Sequence, residues 1–139
     1  MFDCAKELVN LIPEELLKNT IKQFSMEKVI VPVPLYWLRR LWRGFNQAEV
    51  LGRLMAKKIG VNVRTDLVRR VKKTRPQAEL KGKNRKENVA GAFRINPEPV
   101  PSRVLLFDDV WTTGATLRTC GVTLKRAGVK FVWGLTLAR

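Results

Sequence analysis

Apolar residues recur along this chain in two rhythms. From Phe2 to Phe24 they fall at helical spacing: Ala5, Leu8, Val9 and Ile12, then Leu16, Leu17, Ile21 and Phe24. Pro13 divides the run, and Pro13-Glu14-Glu15 is a good helix start, with proline at the first position and acids in the first turn. Residues 1–27 therefore predict two helices lying on one face of a sheet. Val29-Ile30-Val31-Pro32-Val33-Pro34 is a β-branched first strand that Pro34 ends. Ala48, Leu51, Met55 and Ile59 make a second helical stripe. Asn46-Gln47-Ala48-Glu49 caps it as a capping box, and Gly60 stops it. Val61 to Val71 holds a strand, clearest at Leu67 to Val71, and Ala90 to Ile95 reads as a short one. Val104 to Phe107 is a short buried strand, followed by helical spacing at Leu117, Cys120, Leu124 and Ala127 that Gly128 ends. Val129 to Ala138 is almost continuously apolar, the pattern of a parallel strand buried on both faces. The alternation predicts an α/β fold: a mostly parallel, twisted sheet of about five strands with helices on both faces.

Two stretches break the rhythm. Lys72 to Val89 is polar, strongly basic and without periodicity, which is the character of a flexible lid or binding loop, or of a solvated charge run. Asn96 to Ser102 is a proline-rich connector. Neither divides the chain, and there are no repeats, so residues 1–139 read as one domain, long enough for one core.

Composition narrows the class. A hydrophobic content of 45% with 28% charged residues belongs to a soluble globular protein. No apolar run approaches the roughly 20 residues of a membrane span, and the N-terminus lacks the pattern of a secretory signal, so a cytoplasmic location is expected. The chain has no histidine, which excludes Ser-His-Asp and Cys-His chemistry. Cys4 and Cys120 match no metal spacing, and Cys120 sits on an apolar helix stripe as a core thiol. The net charge is +15, which predicts an anionic partner: a polyphosphate, a nucleic acid or an acidic protein. Arg64 to Arg94 alone holds eleven Lys/Arg against three Asp/Glu. The basic aromatic run Tyr36 to Gly44, with Trp37 and Trp42, can stack bases and hold phosphates, or can be partial core with solvated arginines.

The chemistry concentrates in Val104 to Leu117. A buried strand ends in two adjacent carboxylates, Asp108 and Asp109, and then in a small hydroxyl-rich turn, Thr112-Thr113-Gly114-Ala115-Thr116, that opens a helix. Backbone N–H groups at a helix N-terminus suit a phosphate, and ligands of open α/β sheets collect at the carboxyl ends of strands. An anionic end beside two acids suits a sugar phosphate. No Gly-x-x-x-x-Gly-Lys-Ser/Thr occurs, and Val29 to Pro34 lacks the further acids of a metal-binding phospho-acceptor domain.

This run resembles the phosphoribosyl-pyrophosphate signature of type I phosphoribosyltransferases: four apolar residues, two acids, an apolar residue, a free position held here by Trp111, then Thr-Thr-Gly-Ala-Thr. The resemblance implies that fold, with Asp108 and Asp109 holding the ribose 2′- and 3′-hydroxyls, and Mg²⁺ indirectly through the ribose. It also implies that Thr112, Thr113, Gly114, Ala115 and Thr116 wrap the 5′-phosphate. In that family a flexible loop closes over the site, and residues 72–89 match it in position and charge. Arg75, Lys81 and Arg85 would then meet the pyrophosphate or the transition state, and Arg39 and Arg43 would meet it from the first strand.

Further stretches resemble the ComF family, a branch of phosphoribosyltransferase-fold proteins linked to DNA uptake in competent bacteria. They are Val31-Pro32-Val33-Pro34-Leu35, Arg43 to Ala48, Thr74 to Leu80, Arg85 to Phe93 and Leu135 to Arg139. Family members typically begin with a cysteine-rich zinc-binding segment. This chain holds no such segment, so a short form or a fragment is expected. The resemblance leaves two expectations. One is a Mg²⁺-dependent phosphoribosyltransferase acting on phosphoribosyl pyrophosphate with an unidentified nitrogen acceptor. The other is a non-catalytic competence protein whose basic surface meets single-stranded DNA or a competence partner. A homodimer is left open.

Overall fold

A computed structural model describes residues 2–16, 19, 28–36, 41–72, 91–96 and 99–138. Helix α1 spans Phe2–Asn10 and strand β1 Lys28–Pro32. Helix α2, Gln47–Ile59, leads to β2, Asn62–Val63, and then to β3, Val68–Arg70, and β4, Phe93–Ile95. Strand β5, Arg103–Val110, helix α3, Ala115–Arg126, and strand β6, Phe131–Ala138, complete the order.

Four strands form one parallel sheet in the order β2-β1-β5-β6. β3 and β4 form a separate antiparallel pair, with Arg70 opposite Phe93. The expectation of a mostly parallel sheet with helices on both faces is met, although the strands divide four and two. Alternation along β5 explains the two-sided cover. Val104 and Leu106 point into one cluster with Leu117, Cys120 and Leu124 of α3 and with Leu67, Val68 and Phe93 of the β3–β4 unit. Leu105 and Phe107 point into the other, with Ala48, Met55 and Ala56 of α2 and Val9 of α1. α2 lies close to the sheet because Gly52 faces it; a Cβ there would stand 3.2 Å from Pro32 and 3.4 Å from Phe107.

Helix ends follow the expected chemistry. The Asn46 side chain accepts from the Ala48 N–H, and Gly60 closes α2 in the left-handed region at φ 71°. α1 ends before Pro13, and helical geometry resumes at residues 14–16; the rest of the second predicted helix lies outside the described residues. The Lys58 ammonium donates to the carbonyls of Val9 (2.9 Å), Asn10 (3.4 Å) and Ile12 (2.9 Å). A cation from α2 thus satisfies the carbonyls at the C-terminal end of α1 and docks it.

Three expectations change. The first strand closes at Pro32 rather than Pro34. β5 does not stop at Phe107, so both acids belong to its last three residues. Among the described residues β6 is an edge strand, with residues half-buried or exposed rather than buried on both faces. Its apolar run has a physical cause nonetheless: Val132 packs toward α3, while Trp133, Leu135 and Leu137 pack toward α1 and α2. Both faces are covered, but an edge position leaves each side chain partly open.

Candidate functional site

The strand order creates a switch point. The chain leaves β1 through α2 toward β2, and leaves β5 through α3 toward β6. Because α2 and α3 lie on opposite faces, the switch point falls between the carboxyl ends of β1 and β5, the position where open α/β sheets hold their ligands in a crevice. The last rung joining the two strands is Pro32 with Phe107. Asp108, Asp109 and Val110 run past it, while Asp108 and Val110 still pair with Thr136 and Ala138 of β6.

The walls of this step are tied together by hydrogen bonds. The Val33 N–H donates to the Phe107 carbonyl at 2.7 Å. Buried Asn46 donates its amide to the Val33 carbonyl at 2.9 Å while capping α2 with its oxygen. One side chain therefore fixes the start of α2, the loop after β1 and, through Val33, the residue before the acid pair. On the other side the Trp111 N–H donates to the Ala138 carbonyl at 2.8 Å.

Both acids are half-buried. The Asp109 N–H donates to Asp108 Oδ1 and the Val110 N–H to Asp109 Oδ1, each at 3.0 Å. Burial above all, and then the adjacent Asp109 carboxylate, push Asp108 up to about 7, while the Arg70 guanidinium pulls the other way. Two carboxylates pressed together at a sheet's carboxyl end favour a proton, a cation or ligand hydroxyls between them. Their hard oxygens suit Mg²⁺. Among the described residues no group of three or more His, Cys, Asp or Glu gathers to hold a metal ion. A cation here would thus draw its remaining oxygens from a ligand and water, as Mg²⁺ commonly does.

The turn is shaped by one glycine. Gly114 precedes α3 at φ 69°, and the Trp111 ring lies against it; a Cβ would fall 2.4 Å from that ring. The wide residue at the signature's free position thus packs the turn from outside. The Ala115 N–H, the first of α3, donates to Thr113 Oγ1 at 3.3 Å, so a threonine before the N-cap glycine supplies the side-chain acceptor that Gly114 cannot. Thr112, Thr113, Gly114, Ala115 and Thr116 are thereby gathered at the N-terminus of α3, directly after the acid pair.

Arg43 is exposed, with Nη1 3.5 Å from Gln47 Oε1 in the first turn of α2, so it stands at the same end of the sheet as the acids. Trp42 beside it is 94% exposed, which decides against a core role for it. Arg39, Arg75, Lys81, Arg85 and Trp37 lie outside the described residues. Cys120 is wholly buried, and burial first, with Asp108 next, pushes its thiol up to about 12, as befits a core thiol rather than a nucleophile.

Two residues of this site carry no obvious sequence signal. Arg70 is lost in a basic run. Yet its alternation with buried Val68 and exposed Arg69 assigns it to the inner face, where it lies 5.4 Å from the Phe93 ring centroid and acts on Asp108. Asn46 is legible as a helix cap, but not as the bridge to Val33.

No family model matches the chain. Individual proteins do. Over 122 residues, 84% of this chain and 53% of the relative, it is 38% identical to Competence protein F of Haemophilus influenzae. It is 34% identical over 130 residues, 93% of the chain, to the DNA utilization protein YhgH of Salmonella typhimurium, of which it covers 57%. With Competence protein ComFC of Streptococcus pneumoniae it shares 32% identity over 137 residues, 96% of the chain and 56% of the relative. The chain spans just over half the length of these relatives. Over the region it shares with them, this chain belongs to the ComF family.

Proposed function

We propose that this domain binds phosphoribosyl pyrophosphate with Mg²⁺ in the crevice between β1 and β5, and transfers the phosphoribosyl group to a nitrogen acceptor. One observation carries the reading: the acid pair extends past the last β1 rung, with a glycine turn and a helix N-terminus immediately behind it. In this reading Asp108 and Asp109 accept hydrogen bonds from the ribose hydroxyls. The Thr112–Thr116 turn and the N-terminus of α3 hold the 5′-phosphate through backbone N–H groups and hydroxyls. Asp108 and Asp109 would hold Mg²⁺ indirectly, through the ribose hydroxyls, and the ion would supply positive charge against the pyrophosphate.

The reaction breaks the C1–O bond to pyrophosphate, whose oxygen keeps the electron pair. It forms a C1–N bond from the acceptor's lone pair, and the acceptor's proton leaves to water or to the pyrophosphate. The protein's task is to orient the sugar, stabilise the departing charge and exclude water. A nitrogen nucleophile needs no histidine base, which is consistent with the composition. Arg43, together with Arg39, Arg75, Lys81 and Arg85, supplies cations for the pyrophosphate.

A second reading is favoured by the relatives' names, competence protein and DNA utilization protein, together with the +15 charge. In it the same site binds its ligand without turnover, and the protein serves competence by meeting DNA or a partner protein. Pyrophosphate release from phosphoribosyl pyrophosphate, measured with nucleobases and with ammonia as acceptors, separates the two. Turnover predicts release that Asp108→Asn with Asp109→Asn abolishes. No release by the unaltered protein with any acceptor removes the enzyme reading.

A further inference from the structure

The opposite end of the sheet carries a feature that the ribose-phosphate reading does not use. Phe131 opens edge strand β6 and is 46% exposed. Trp133, two residues on and on the same strand face, stacks on it, with ring centroids 5.7 Å apart and planes inclined by 13°. Arg103, the first residue of β5 and the register partner of Phe131, places its guanidinium 5.1 Å from the Phe131 centroid. Lys125, in the last turn of α3, brings its ammonium to 5.9 Å from the same ring. Arg126 and Lys130, next to Lys125 and Phe131 in the sequence, are exposed. One cation from a strand start and one from a helix end thus converge on the Phe131 ring, and no Asp or Glu occurs between Val110 and Arg139.

A purely structural account covers part of this. Lys125 and Arg126 complement the C-terminal dipole of α3, and Lys125 also donates to the Lys130 carbonyl. The stems of such side chains shield apolar surface. That account does not require a half-exposed Phe131 to stack on Trp133 at the open edge of the sheet, nor a guanidinium from a different strand to extend the stack.

We propose that Arg103, Phe131 and Trp133, with Lys125, Arg126 and Lys130, form a binding surface for single-stranded nucleic acid. The cations meet the phosphates and the aromatic–guanidinium stack takes unpaired bases, the combination that sequence-tolerant single-strand binders use. A duplex hides its base faces, and an acidic protein would engage the cations without needing the stack. Arg103 stands five residues before Asp108 on one strand, about 17 Å at strand rise. The surface is therefore separate from the crevice at the carboxyl ends and does not depend on the reading of that crevice.

The test is fluorescence anisotropy of the whole chain with a labelled oligothymidylate of about 20 nucleotides, longer than the ~4–16-nucleotide sites of such binders. An abasic strand of equal length serves as the control. The expected result is binding at low salt, weaker for the abasic strand and unmoved by saturating inorganic pyrophosphate with Mg²⁺. Phe131→Leu should weaken it about tenfold. Lys125→Gln with Arg126→Gln should lower the slope of log affinity against log salt by about 1.4. Circular dichroism of each variant keeps loss of binding apart from loss of fold, and Lys130→Gln, outside any regular element, is a milder second test in the same direction. The proposal is overturned if the oligonucleotide does not bind at low salt. It is equally overturned if folded patch variants bind like the unaltered protein, or if pyrophosphate displaces the strand.

Discussion

Among single residues, Asp108 and Gly114 are held furthest from their ordinary state, one in its protonation and the other in its backbone and packing. Asp108 is pushed up to about 7 from an ordinary 3.8, chiefly by burial, so between those values the folded protein holds a proton that the unfolded chain has released. Stability therefore falls as pH rises from about 4 to about 7, the sign that linkage gives when the native state binds the extra proton. Asp108→Asn keeps the oxygen that accepts from the Asp109 N–H and removes the charge. Its melting temperature should match the parent near pH 4 and exceed it near pH 8 by a few degrees, about 1–2 kcal/mol after allowance for partial solvation. A destabilised variant at pH 8 would mean that the charge is compensated in the folded protein. Gly114→Ala acts through backbone and sterics together: a left-handed φ of 69° and a Cβ driven into the Trp111 ring. A loss of about 1–3 kcal/mol is expected by thermal denaturation. Adding Trp111→Ala should recover only the steric share, so the two changes should not be additive.

At the scale of elements, the segment after β1 depends on Asn46. Asn46→Ala loses the α2 cap and the bond to the Val33 carbonyl, which should cost about 2 kcal/mol in denaturant unfolding. Asn46→Asp keeps the cap acceptor but sets a carboxylate against that carbonyl, so it should rescue little; full rescue would show that only the cap matters. Elements were also where the sequence was most legible. The α2 stripe with Asn46 before it and Gly60 after it, and the α3 stripe, stand where local periodicity and end chemistry put them, while the strand read over Val104 to Phe107 is present but runs on through the acid pair to Val110. Pairing was less legible. Nothing local says that β3 and β4 leave the main sheet, or that the apolar β6 lies at an edge, because both depend on contacts between residues distant in sequence. The same holds for Arg70, whose neighbour Asp108 is 38 positions away in the chain, and for the Asn46–Val33 bridge.

Over the whole molecule, two chemically distinct ends emerge from one parallel sheet. The carboxyl end gathers the acid pair, the turn, the N-terminus of α3 and Arg43; the amino end of β5 and β6 gathers stacked aromatics and cations. The acid pair and turn were legible because thirteen consecutive residues fit one signature, whereas the aromatic patch joins Arg103, Lys125 and Phe131 across two strands and a helix and has no linear trace. Membership of the ComF family over this region fixes neither ligand nor reaction. We propose that the carboxyl end of the sheet binds phosphoribosyl pyrophosphate with Mg²⁺, and this proposal bears most on what the domain does. Isothermal calorimetry of the chain with that ligand, with and without Mg²⁺, tests it most directly. The expected result is saturable, Mg²⁺-dependent binding at one site, lost in Asp108→Asn with Asp109→Asn while the variant stays folded. Absence of heat in the unaltered protein, or equal binding by the folded double variant, would contradict it.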